Sequence, residues 1–216
     1  FYSYNKDRNI SRIASGVATP LDPYLEEAGF DIEEDFGVSY GMYEGKVYAL
    51  PTINADDFIW INKDMFDEAG IEIPRDWTWE EYVDIARQLT SGSGDQKVYG
   101  SMMHYPWPNM WMRPAIIELG PDLYSEETVF DFDNEYFARS LDIIDQMENV
   151  DESQVPAVLQ QANKLSVQDM FFNGRVAMLY AGSWIIRYAK NQEDYSHDFI
   201  TAFAPLPRWR DGDGYY

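Results

Sequence analysis

Between residues 44 and 90 the apolar and polar positions change period several times, and each change is punctuated. Residues 46–50 form a short β-rich run stopped by Pro51, which has no N–H to give to a ladder. Phe58, Ile59, Trp60 and Ile61 are a continuous apolar run, the pattern of a strand covered on both faces. Asn62 suits a helix N-cap, and residues 63–69 a two-turn helix closed by Gly70, where a positive φ is wanted. Pro74 keeps the connector extended. Thr78 and Glu81 then fit a capping box, which predicts a helix with Trp79, Tyr82, Val83, Ala86 and Leu89 on one face.

The flanking stretches follow the same rules. Ile10, Ile13, Ala14 and Val17 are spaced for one helical face ending near Gly16, and residues 26–43 are an acidic mixture of helix and loop. Residues 91–96 read as a flexible turn and 97–103 as a strand. A loop with Pro106 and Pro108 leads into a helix whose Ala115, Ile116 and Leu119 point inward. Asp131, Asp133 and Glu135 alternate as in the opening of a calcium loop. However, Tyr136 stands where that loop needs Gly and Asp142 where it needs Glu. The stretch is therefore read as a turn and N-cap before a helix over 135–148, with Phe137, Leu141 and Ile144 on a shared face. Ser166 and Asp169 resemble another cap, and Asn173–Gly174 a helix end. Residues 175–180 are a strand, Gly182 a tight turn and Ser183 a cap for a helix with Ile185, Ile186 and Tyr188; 199–204 is a final strand.

Two ordered motifs carry a family resemblance. The first is Gly45-Lys46-x-Tyr48-Ala49-x-Pro51, an apolar strand, Asn62-Lys63-Asp64-x-Phe66-x-x-Ala69-Gly70, Pro74, and then Trp77-x-Trp79-Glu80. The second is residues 171–184, a Phe-x-x-Gly-x-x-Ala-Met run followed by Gly-x-Trp. Together they resemble the family 1 extracellular solute-binding proteins of bacterial ABC importers, most of which capture sugars and oligosaccharides. The resemblance implies an α/β fold of the type II periplasmic-binding-protein class, two lobes joined by a hinge and only partly covered by this chain. It divides the chain into residues 1–63, part of the first lobe and a crossover; 64–200, most of the second lobe; and 201–216, a return crossover through Pro205-Leu206-Pro207. It also implies a secretion signal, often a lipidated Cys, extracellular or periplasmic placement, ABC permease subunits as partners, and a monomer without cofactor. Residues 1–216 then read as an internal segment of a longer protein.

The site residues follow from the same resemblance, each with an ordinary alternative beside it. Trp184, in the Gly-x-Trp turn, either stacks on ligand or anchors its helix in the core. Trp107 is the first choice for an aromatic platform after a strand, with Trp111 second and His104 in the same loop; both tryptophans have a core reading. Tyr2 and Asp7, with Tyr4 and Asn5, either face ligand or form a polar loop. Asn54 and Asp56, next to Asp57, are candidate partners for sugar hydroxyls or plain turn residues. Physically the set suits a sugar. Pyranose C–H faces stack on rigid aromatic rings, and hydroxyls need fixed acceptors and donors.

Composition narrows the classes further. Net charge is −22, from 16 Lys and Arg against 38 Asp and Glu, which repels phosphate backbones and disfavours nucleic acid or anionic membranes as partners. With no Cys, disulfides, thiolate nucleophiles and Cys-ligated metals are excluded. His104 and His197 have no evident partners and are too isolated to read as a zinc site, and no apolar run of about 18 residues predicts a membrane span. A glycoside hydrolase would need a distinguished carboxylate pair, and no motif singles one out. A lectin or adhesin module would share the aromatics but not the ordered helix and strand motifs. Peptide, polyol or phosphate ligands remain within the same fold, with neutral carbohydrate favoured because the 16 basic residues are dispersed.

Overall fold

The computed structural model describes residues 6–36, 42–50, 56–103, 108–119 and 134–210. The chain divides into two compact units, Phe1–Asn54 and Ala55–Tyr216. The first holds three short helices, α1 (Lys6–Ala14), α2 (Asp22–Ala28) and α3 (Ile32–Phe36), and a hairpin of β1 (Met42–Tyr43) with β2 (Lys46–Val47). Glu44 and Gly45 both have positive φ, 49° and 75°, as a two-residue hairpin turn requires. The Asp22 carboxylate accepts from the Val47 N–H at 3.1 Å, and Leu21 donates to the Val47 carbonyl at 2.7 Å, which ties the start of α2 to the hairpin. The strand expected over 46–50 is thus confined to Lys46–Val47. Of the apolar face expected on α1 only Ile13 is buried; Ile10 and Val17 are exposed.

The second unit is built on a four-stranded sheet. Its strands are β3 (Asp57–Asn62), β4 (Tyr99–Met103), β5 (Val176–Gly182) and β6 (Thr201–Ala204), in the order β4-β5-β3-β6. β3 runs antiparallel to both neighbours, and β4 is parallel to β5. Helices cover both faces, which explains the unbroken apolar run in β3. Ile59 and Ile61 meet Phe66 of α4 (Lys63–Ala69) and Trp79, Tyr82 and Ala86 of α5 (Trp79–Leu89) on one side. Trp60 meets Phe171 and Phe172 of α9 (Val167–Phe172) on the other. The remaining helices are α6 (Pro108–Leu119), α7 (Glu135–Asp145), α8 (Ala157–Asn163) and α10 (Ile186–Lys190).

Helix starts follow the expected capping chemistry. Asn62 accepts from the Met65 N–H, Ser166 accepts from the Asp169 N–H, and Thr78 and Glu81 complete a reciprocal capping box. Asn134 caps α7, which runs on through a π-helical turn, Gln146–Val150. This turn brings Met147 into the core, while Leu141, expected on the inner face, is exposed. The reason is geometric: Phe137, Ser140, Ile144 and Met147 follow the inward stripe, and Leu141 lies off it.

Three tryptophan contacts strap the segment after β6 to this unit. Trp77 Nε1 donates to the Pro205 carbonyl at 2.8 Å, and Trp209 Nε1 to the Pro114 carbonyl at 3.2 Å. Arg139 lies 4.3 Å from the Trp209 ring, a cation–π contact. Arg208 exchanges backbone hydrogen bonds with Trp77 and Trp79 and pairs with Asp76, whose carboxyl it holds below the usual range.

Two features generate expected outcomes. A Cβ on Gly100 would sit 1.8 Å from the Ala86 carbonyl oxygen, so α5 and β4 meet backbone to backbone. Gly100→Ala is expected to cost at least about 3 kcal/mol of stability, the upper end of overpacking, read by urea unfolding. The second concerns the half-buried carboxyl of Glu148. Burial raises its pKa, against the lowering effect of the Ala157 N–H and the Gln154 amide. A raised folded-state pKa favours folding fully below the unfolded value, and that contribution is lost as pH rises through the folded one. The stability of wild type relative to Glu148→Gln should therefore increase on acidification from pH ~7 to below ~4.5, in paired denaturation curves.

Candidate functional site

The sheet register gathers several chain ends at one edge. Met103, Tyr180, Ile59 and Ala204 lie side by side across all four strands. Beyond that row β4 and β6 have ended, and only β3 and β5 continue, through Phe58–Ala181 to Asp57–Gly182. One further bond, from the Ser183 N–H to the Asp56 carbonyl at 2.8 Å, extends the pair. This is the edge where β4, β5 and β6 finish and β3 begins, the side on which α/β sheets present loops to ligands.

Trp184 stands at this tip. The chain leaves β5 at Gly182 and enters a 3₁₀ turn, Ser183–Ile185, that continues as α10. Trp184 is half-buried in that turn, and its ring meets Tyr188 edge to face with centroids 5.9 Å apart. Gly182 was expected to allow a tight turn. Its φ of −71° and ψ of 168° are ordinary extended values, and Gly182 rather than Ser183 is the capping position. The requirement for glycine is steric, because the indole folds back over its α-carbon.

Asp57 pairs with Gly182 and shares its face of the sheet with Ile59 and Ile61, as strand alternation demands. Its carboxylate oxygen lies 3.4 Å from where a Cβ of residue 182 would be, alongside the indole. Asp56, exposed, precedes it. The tip therefore combines a partly accessible aromatic surface with carboxylate acceptors, a combination that can stack a ring and accept hydrogen bonds from hydroxyls.

Of the residues singled out from the sequence, Trp184 and Asp56 are brought to this tip. Tyr2, Asn54, His104 and Trp107 lie outside the described residues; Asp7 is in α1 and Trp111 in α6. β4 delivers the chain toward residue 104 from the strand next to β5. Sequence reasoning placed Tyr188 in the helix after Ser183 without linking it to Trp184, and passed over the partnership of Asp57 with Gly182. The i, i+4 spacing of Trp184 and Tyr188 on a helical turn was an available signal for the former. His197 serves packing: its ring lies 4.7 Å from Phe172 and 4.9 Å from Phe199, and Nδ1 donates to the Tyr195 carbonyl. Among the described residues no group of three or more His, Cys, Asp or Glu side chains could hold a metal ion. No helix among them is long and apolar enough to cross a membrane.

Known proteins share this architecture. The arabinooligosaccharide-binding protein of Halalkalibacterium halodurans is 22% identical over 196 residues, which are 89% of this chain and 42% of that protein. An ABC substrate-binding protein of Listeria monocytogenes, solved in complex with cycloalternan, superposes with a TM-score of 0.73 at 20% identity, covering 94% of this chain and 51% of that one. UgpB of Mycobacterium tuberculosis in complex with glycerophosphocholine gives a TM-score of 0.73 at 18% identity, covering 94% and 49%. The chain spans less than half the length of the curated relatives it matches and about half that of the solved structures. The fold is that of the type II periplasmic-binding-protein class. The bacterial extracellular solute-binding protein family matches residues 1–216, and the chain belongs to that family.

Proposed function

We propose that the intact protein captures a neutral carbohydrate or oligosaccharide outside the cytoplasm, as a periplasmic or lipid-anchored monomer, and hands it to the membrane permease of an ABC importer. The observation that carries this reading is the half-buried Trp184 indole at the tip of the β3–β5 pair, beside the Asp57 carboxylate. Trp184 supplies the stacking surface, and Asp56 and Asp57 supply acceptors for hydroxyls. Trp107, Trp111, His104, Tyr2, Asp7 and Asn54 complete the proposed ligand-binding set. Residues 1–63 belong to one lobe and its crossover, 64–200 to the other, and 201–216 to the return. Family membership supports binding without turnover. The ligands of similar proteins, an arabinooligosaccharide and cycloalternan, support the sugar class.

A second reading, a phosphodiester polyol, draws on the glycerophosphocholine complex, whose TM-score equals that of the cycloalternan complex. Two adjacent carboxylates at the tip and a net charge of −22 oppose an anionic ligand.

A thermal-shift screen of the intact protein distinguishes these, because a ligand that binds only the folded state raises Tm. A saturable shift with mono- or oligosaccharides, and no loss of the sugar on prolonged incubation, is the expected result. A shift with glycerophosphodiesters alone would favour the second reading, and sugar breakdown would indicate an enzyme. Trp184→Ala should weaken sugar binding by about 2 kcal/mol or more, roughly thirtyfold, with the far-UV CD spectrum retained. Unchanged affinity in this variant would remove Trp184 from the site.

A further inference from the structure

A Cβ on residue 182 would lie 2.8 Å from Cδ1 and 2.9 Å from Nε1 of Trp184, well inside van der Waals contact. Since the backbone torsions of Gly182 are open to any residue, the pyrrole edge of the indole is what occupies the side-chain space at this position. On another side, Tyr188 meets the indole at an interplanar angle of 80°. Tyr188 is itself fixed: Tyr195 packs against it edge to face at 4.9 Å, and the Arg187 guanidinium lies 4.5 Å from its ring centroid. The indole is thus seated in a notch with one wall of bare backbone and one wall of a packed ring.

We propose that Gly182 and Tyr188 are positioning residues that set the plane of the Trp184 indole before any ligand arrives. The proposal rests on the reading of Trp184 as the ligand platform. A stacking surface fixed in advance loses less rotamer freedom on binding, so the notch raises affinity without touching the ligand. A methyl group at 182 has no flexible neighbour to displace, because a planar ring can only swing away as a whole.

The test uses the intact protein with Gly182→Ala, Tyr188→Leu and Tyr188→Phe, and Trp184→Phe and Trp184→Ala as references. The near-UV CD contribution of Trp184 is the difference between wild type and Trp184→Phe. Gly182→Ala and Tyr188→Leu are expected to abolish that difference with far-UV CD unchanged, and Tyr188→Phe to keep it. By calorimetry with arabinotriose and maltotriose, the first two should weaken binding about tenfold or more, the scale on which overpacking shifts an equilibrium constant. Tyr188→Phe should bind as wild type. Retention of the Trp184 signal in both Gly182→Ala and Tyr188→Leu would overturn the proposal. If Gly182→Ala does not fold, the Leu and Phe variants at 188 decide alone. Wild-type affinity in Trp184→Ala would instead remove the platform reading, while the CD signals still decide whether the notch orients the ring.

Discussion

The antiparallel pairing of β3 with β5 is the constraint on which the larger unit depends. Five consecutive pairs, from Asp57–Gly182 to Ile61–Met178, fix which side chains face α5 and which face α9. Because both faces of β3 are packed, a slip of one residue would exchange Ile59 and Ile61 with Trp60 and empty both layers at once. The same register decides the geometry of the candidate site. It is the reason Asp57 stands opposite a glycine, and that glycine leaves room for an indole.

Aromatic residues divide between these two tasks. Trp60, Trp77, Trp79 and Trp209 are buried, four of the chain's seven tryptophans, so most of the indoles serve the core. Trp77 and Trp209 do more than fill space. Their indole N–H groups bond to the carbonyls of Pro205 and Pro114 and fasten the segment after β6 to the bundle. Trp184 differs in being half-buried, with the apolar body packed and part of the ring left accessible, the division expected of a residue that meets a ligand.

Much of the fold was legible because its signals are local. Asn62, the Thr78–Glu81 pair and Ser166 each satisfy helix N–H groups within three residues, so the sequence contains both partners. The exposure of Leu141, Ile10 and Val17 was not legible, since helical spacing places residues on a face without saying how wide a stripe the neighbours cover. The site shows the same division. Trp184 and Asp56 could be singled out through the family resemblance, the one from the Gly-x-Trp motif and the other from the stretch before β3. The meeting of Asp57, Gly182 and the indole could not, because it arises from pairing across more than a hundred positions, and no periodicity spans such a distance.

That separation has a kinetic consequence. Trp60 Nε1 donates to the Ala181 carbonyl, 121 residues later in the chain, and β3's other neighbour, β6, comes later still. During synthesis at ~5–20 residues per second, β3 waits about 6–24 s before either strand partner exists. In that interval the Phe58–Ile61 run lacks both of its native strand partners, although α4 and α5, which pack on one face of it, are already made. Folding of this unit is therefore gated by the arrival of β5, and loop closure on that scale makes it slow relative to the local helices that form first.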